Sequence, residues 1–202
     1  MARGDRRVDR REPLAAGALD LAGQPLGPYA RIFEQIYMSF YENTLTLYRD
    51  QYPMFGDAEV MPIKVIWDYT YYWGVLCQLV FQNRLTDFAL LGAVRADLER
   101  AAALNRRMQL FFRRWHAASR NRNERAMLDQ RDLEWFVAMN RGLHDVLTTD
   151  ELATRLRTNV AMMHALAGAI GNRASAACAG LDAGEAGGDE AVPAPDLFRR
   201  AA

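Results

Sequence analysis

The chain has 202 residues, half of them apolar, with 25 basic and 25 acidic side chains. That length fits one domain with tails, and the balanced charge excludes the strongly basic character expected of a nucleic-acid or membrane-surface binder. Two cysteines, Cys77 and Cys178, form neither a disulfide framework nor a metal-ligand spacing, which points to a reducing, cytoplasmic protein.

Residues 1–27 hold Arg3, Arg6, Arg7, Arg10 and Arg11 and then a Gly/Ala/Pro-rich connector, the composition of a disordered tail. The weakly apolar LAAGALDLAG is short, is interrupted by Asp20 and makes a poor signal peptide. Pro28 suits a first helical turn, and Ile32, Phe33, Ile36, Tyr37, Phe40 and Leu47 carry helical spacing as far as about 52, before Pro53. Asp57 is the expected N-cap of the next helix, which runs to about Asn83.

That second helix is VMPIKVIWDYTYYWGVLCQLVF, residues 60–81, and five of the seven residues from Trp67 to Trp73 are aromatic. On a helical wheel Val65, Ile66, Tyr69, Tyr72, Trp73 and Leu76 share one broad face, with Ile63, Trp67, Tyr71 and Val75 on the other. Lys64, Asp68 and Gln78 lie on or beside the Trp67/Tyr71 strip. A segment so apolar all round is expected inside a protein core. Lys64 and Asp68 argue against a membrane span, as does an uncharged run of 15 residues, Tyr69 to Asn83, against the roughly 20 a span requires.

A third helix is predicted over 87–119, with Phe88, Leu91, Leu98, Met108, Phe112 and Trp115 as its seam. A fourth is predicted over 124–147, after a break at Asn121 to Asn123, with Leu128, Trp135, Phe136, Met139, Leu143, Val146 and Leu147 apolar. Thr148 and Glu151 then read as a T-x-x-E capping box, with Leu147 and Leu152 as its staple, opening a fifth helix. Residues 179–202 are poor in apolar side chains and read as a second disordered tail. No strand pattern is present. The expectation is all-α: a single helical domain of about five helices over 28–178.

The nucleotide-binding glycine loops, the H-E-x-x-H zinc motif and the G-x-S-x-G elbow are all absent. His116, His144 and His164 lack metal-type spacing and read as ordinary helix histidines, so no metal site and no catalytic residue are expected. Lys64 and Asp68, at i and i+4, are either a self-satisfying buried pair or the polar contact of a substrate pocket. Trp67, Tyr71 and Trp73 are either core or a stacking platform for a small aromatic or apolar ligand. Arg100, Arg107 and Arg114 recur every seven residues, so they share a face. Arg107 and Arg114 are candidate anion-binding residues, against the plainer reading of a solvated helix face.

Residues 41–87, YENTLTLYRDQYPMFGDAEVMPIKVIWDYTYYWGVLCQLVFQNRLTD, are similar to the C-terminal helical region of bacterial flavin-dependent halogenases of the tryptophan type and related oxidoreductases. The resemblance lies in a Tyr-rich helix ending in YRDQYPMFG, a small turn and the KVIWDYTYYWGV helix. It implies a helical part that packs on an FAD-binding part and helps enclose an aromatic substrate. The family's flavin-binding glycine loop and its W-x-W-x-I-P motif are both missing. The resemblance therefore implies a non-catalytic domain that binds no cofactor alone and works with a separate flavin-binding domain or chain. Trp67, Tyr71, Trp73, Lys64 and Asp68 would line its substrate side. The rival expectation is a free-standing helical module for a hydrophobic small molecule or partner protein, and a bundle enzyme with its own site is a third.

Overall fold

A computed structural model describes residues 26–120 and 129–188. Of the tails expected at 1–27 and 179–202, residues 1–25 and 189–202 lie outside the described residues, as do the break at Asn121 to Asn123 and the start of the fourth helix with Leu128, while Leu26 and Gly27 already belong to the first helix. Among the described residues there are five helices and no strand. They are α1 (Leu26–Leu45), α2 (60–81), α3 (Phe88–Ala118), α4 (Glu134–Arg141) and α5 (Thr149–Ala177). The chain divides into two compact units, Met1–Glu42 and Asn43–Ala202, and the core described below belongs to the second.

The first helix ends at Leu45 rather than near 52. Turns follow, Asp50 takes a left-handed φ of 59°, and a 3-10 turn spans Tyr52–Met54. Part of the reason is a competing donor: the carbonyl of Leu47 accepts from the Lys64 ammonium at 2.9 Å. Polar side chains thus fold this segment back against α2.

Asp57 opens α2 as expected. Its Oδ1 accepts from the backbone N–H of Glu59 and of Val60, both at 3.1 Å. Its Oδ2 meets His116 Nδ1 at 2.9 Å, and its Oδ1 accepts weakly from Ser119 at 3.4 Å. Burial pushes the Asp57 carboxyl up, but the hydrogen bonds from His116, Val60, Glu59 and Ser119 together hold it below its ordinary value. A carboxylate lowered in the folded state contributes stability above its unfolded value, and that contribution is lost as pH falls through the folded value. Asp57→Ala is therefore expected to cost about 1–2 kcal/mol near neutral pH. In urea denaturation the gap between variant and parent should hold from neutral pH down to the ordinary carboxylate range and narrow only as pH falls below it.

Within α2, residues Val60–Tyr71 are α-helical, Tyr72–Leu76 form a π turn, and Cys77–Phe81 resume the α-helix. Two side-chain amides serve carbonyls of that turn. Gln78 Nε2 donates to Trp73 O at 3.3 Å, and Asn159 Nδ2, from α5, donates to Gly74 O at 2.8 Å. Asn83, with φ of 53°, then turns the chain out of the helix.

Helix α3 is capped by Asp87, which accepts from Leu90 N at 3.0 Å. Its C-terminal half buries Met108, Phe112 and Trp115 as expected, together with Leu104, Asn105, Gln109 and Phe111. Its N-terminal half buries Leu90 and Val94 instead of Phe88, which stays exposed. These two pack with Leu79, Leu152 and Leu156, and Leu91, Leu98 and Leu147 flank the cluster.

The fourth helix is much shorter than predicted. The Asp129 side chain accepts from Arg131 N and sets a 3-10 turn at Gln130–Asp132, and Leu133 is extended, so α4 starts only at Glu134. It gives way to another 3-10 turn at Gly142–His144, and Val146 projects into solvent.

The capping box forms. Thr148 Oγ1 accepts from Glu151 N at 3.3 Å, and the Glu151 carboxylate accepts from Thr148 N at 2.8 Å. Helix α5 runs along α3 and α2 and buries Leu152, Leu156, Val160, Met163, Leu166 and Ile170.

Ordered chain continues past the expected boundary at 178. A 3-10 turn at Ala183–Ala186 packs on α5, with Ala186 fully buried. The approach is backbone to backbone: a Cβ on Gly188 would collide with Gly168 N, and Gly187 sits at a φ of 78° that favours glycine.

Candidate functional site: an aromatic cavity above a buried ion pair

The strip of α2 that carries Trp67 and Tyr71 faces other protein, not a cavity. Trp67 is fully buried, and its indole Nε1 donates to Asn105 Oδ1 on α3 at 3.0 Å. Tyr71 is 1% exposed, and its hydroxyl donates to Asn43 Oδ1 at 2.9 Å. Of the two readings for these residues, the geometry gives core. Trp73 stands apart from both, half-buried between Tyr69 and Phe136, with ring centroids 4.6 and 4.8 Å away.

Lys64 and Asp68 form a buried pair within hydrogen-bond contact, on side chains 2% and 18% exposed. Beneath them lies a polar chain. Gln109 Nε2 donates to Asp68 Oδ1 at 2.8 Å and, more weakly, to Asn105 Oδ1 at 3.2 Å. Asn105 Nδ2 donates to Thr46 Oγ1 at 2.8 Å, and Thr46 in turn donates to Asn43 O at 2.6 Å. Asp68 comes from α2, Gln109 and Asn105 from α3, Thr46 from the turn after α1 and Asn43 from the end of α1, so the chain ties these elements together. Burial pushes the Asp68 carboxyl up; the charge of Lys64 and the hydrogen bonds from Lys64 and Gln109 work against that.

Above the pair opens a partly enclosed cavity of about 300 Å³. Its polar floor is Lys64, Asp68 and Thr44, and its walls include Tyr48, Phe55, Tyr69 and Tyr72. The mouth is aromatic: Tyr48 is 52%, Phe55 49% and Tyr69 41% exposed. Of the five residues singled out in the sequence, Lys64 and Asp68 thus reach the cavity. The aromatic wall falls to Tyr69 and Tyr72, on the face of α2 opposite to Trp67, and to Tyr48 and Phe55. The last two follow α1 in turns, where helical spacing had extended the helix over Tyr48. The five aromatics clustered at 67–73 did mark the segment, but the wheel's richer aromatic face is the open one.

The anion-binding expectation for Arg107 and Arg114 meets a different arrangement. Arg107 donates to Glu185 O at 2.8 Å and to Gly184 O at 2.6 Å, and Arg114 pairs with the Glu185 carboxylate at 2.6 Å. Both guanidinium groups clamp the Ala183–Ala186 turn. Cys77 and Cys178 are free and buried, and burial pushes both thiols up, as suits unreactive packing groups. Among the described residues there is no cluster of His, Cys, Asp and Glu that could hold a metal, and no helix long and apolar enough to cross a membrane.

No protein-family model, curated protein or solved structure matches the chain. The likeness of residues 41–87 to the halogenase helical region rests on those residues alone.

Proposed function

We propose that the chain is a non-catalytic helical binding domain that takes a small aromatic molecule bearing a hydrogen-bond acceptor into the cavity over Lys64 and Asp68. One observation carries this reading: a buried ammonium group at the floor of a cavity walled by four aromatic rings. An ammonium has three N–H donors, and among the described residues Lys64 meets two acceptors, Leu47 O and Asp68. The remaining donor suits a carboxylate, phenolate or carbonyl on the ligand, while Tyr69, Tyr72, Tyr48 and Phe55 suit its ring. A volume of about 300 Å³ admits one or two fused rings.

The resemblance adds a partner. All the residues lining this cavity, Thr44 to Tyr72, fall inside the segment 41–87 that is similar to the halogenase helical region. On that reading the cavity is the substrate-side wall completed by a separate FAD-binding domain or chain. The free-standing module differs only in needing no such partner.

Calorimetric titration of the full chain with benzoate, indole and toluene tests the binding itself. Benzoate should bind most tightly, toluene about tenfold more weakly for want of the acceptor. Val65→Trp, which fills the cavity from α2, should abolish binding while the far-ultraviolet circular dichroism is retained. The proposal fails if none of the three binds saturably, or if a folded Val65→Trp chain binds benzoate as the parent does.

A further inference from the structure

A second and larger cleft, of about 680 Å³, lies on the other flank of the π turn. It is bounded by the end of α2, by α4 with the turn after it, and by the first turns of α5. It shares no lining residue with the aromatic cavity.

Its floor includes Gln78, a side chain 1% exposed overall. The carboxamide orientation is fixed, because Trp73 O is an acceptor and only the Nε2 side can meet it. Gln78 Oε1 is left buried with no hydrogen-bond partner among the described residues. A buried acceptor so placed is costly unless something donates to it. The neighbouring amide, Asn159, turns its Nδ2 to Gly74 O.

The rim is acidic. Asp145 is balanced by Arg155, at 2.8 Å, and Arg155 also donates to Gly142 O at 2.8 Å. Asp150 and Glu151 are exposed on the rim and have no ion-pair partner among the described residues. The Thr148 backbone N–H and hydroxyl donate to Glu151 and hold its carboxyl below the usual value, so it stays ionised. A helix N-terminus ordinarily favours anions, but here the capping box occupies that end and the two carboxylates reverse its sign toward the cleft.

We infer that this cleft binds an organic cation with N–H donors, a primary amine or short polyamine, with one ammonium group donating to Gln78 Oε1 and the rest held by Asp150 and Glu151. The wall supplied by Ala138, Met139 and Leu147 suits the methylene stem of such a ligand.

The test is titration of the full chain with 1,4-diaminobutane at low ionic strength, with 1,4-butanediol and succinate as neutral and anionic matches. The diamine should bind saturably and the other two should not. Gln78→Met, which keeps the side-chain length but removes the acceptor, should weaken the diamine about tenfold. The surface pair Asp150→Asn/Glu151→Gln keeps the capping box and should weaken it about fivefold, with a shallower salt dependence. Binding of equal strength in a folded Gln78→Met chain overturns the inference, as does equal binding of the diol or succinate, or no saturable binding of the diamine. Should Gln78→Met fail to fold, unchanged affinity in the surface pair overturns it alone. Benzoate binding at the aromatic cavity is expected to be the same in both variants, which keeps the two sites distinguishable.

Discussion

Asp68→Ala is expected to destabilise the folded chain by about 3–5 kcal/mol, read from the urea midpoint near neutral pH. The loss comes from what stays behind: Lys64, with a side chain 2% exposed, keeps only the carbonyl of Leu47. Gln109 Nε2 also loses the better of its two acceptors. Lys64→Met preserves the stem and leaves the opposite orphan, a buried carboxyl. Burial already raises the Asp68 carboxyl while Lys64 opposes that shift, so removing Lys64 raises it further. A carboxyl raised in the folded state binds protons more tightly there than in the unfolded chain. The stability of Lys64→Met should therefore fall as pH rises from the unfolded value through the folded one. The double variant Lys64→Met/Asp68→Leu should recover most of the loss and flatten the pH dependence. A double variant as unstable as Asp68→Ala would show that the pair does more than satisfy itself.

Trp67→Ala is expected to cost about 3–5 kcal/mol, through a large cavity and an Asn105 carbonyl left with only the weaker donor Gln109. Two positions along the same helix, Tyr69→Ala should cost about 1 kcal/mol or less, because Tyr69 is 41% exposed. Ligand titration should rank the two positions the other way. Tyr69→Ala should weaken benzoate binding, whereas the milder Trp67→Phe, which keeps most of the packing volume, should leave it unchanged. If Trp67→Ala costs under about 1 kcal/mol, the Trp67/Tyr71 strip is not core.

The helices were legible where local chemistry fixes them. Asp57, Asp87 and the Thr148/Glu151 box mark helix starts through short-range hydrogen bonds that depend on side chains within three residues. The fourth helix is shorter than its apolar spacing predicts because Asp129 and Leu133 break it by backbone conformation. The π turn was not legible: one of the two amides that serve its carbonyls, Asn159, is remote in sequence. At the site, spacing found Lys64 and Asp68 as a pair but could not say which face of a nearly all-apolar helix meets solvent. That is settled by what α3 offers: Asn105 is a fitting acceptor for an indole N–H, so Trp67 turns inward and Tyr69 and Tyr72 turn out. Arg107 and Arg114 look like a free basic stripe only until the chain after 178 returns to them.

The ion pair has one more consequence, for covalent chemistry at the surface. Lys64 is the only lysine in these 202 residues, and it is 1% exposed. While the fold is closed, that ε-amine lies at the floor of the aromatic cavity, within reach of a small molecule but not of the active site of a lysine-modifying enzyme. A lysine tag attached by an enzyme would have to wait for an opening that separates Lys64 from Asp68, so its attachment would mark chains that have already lost the core.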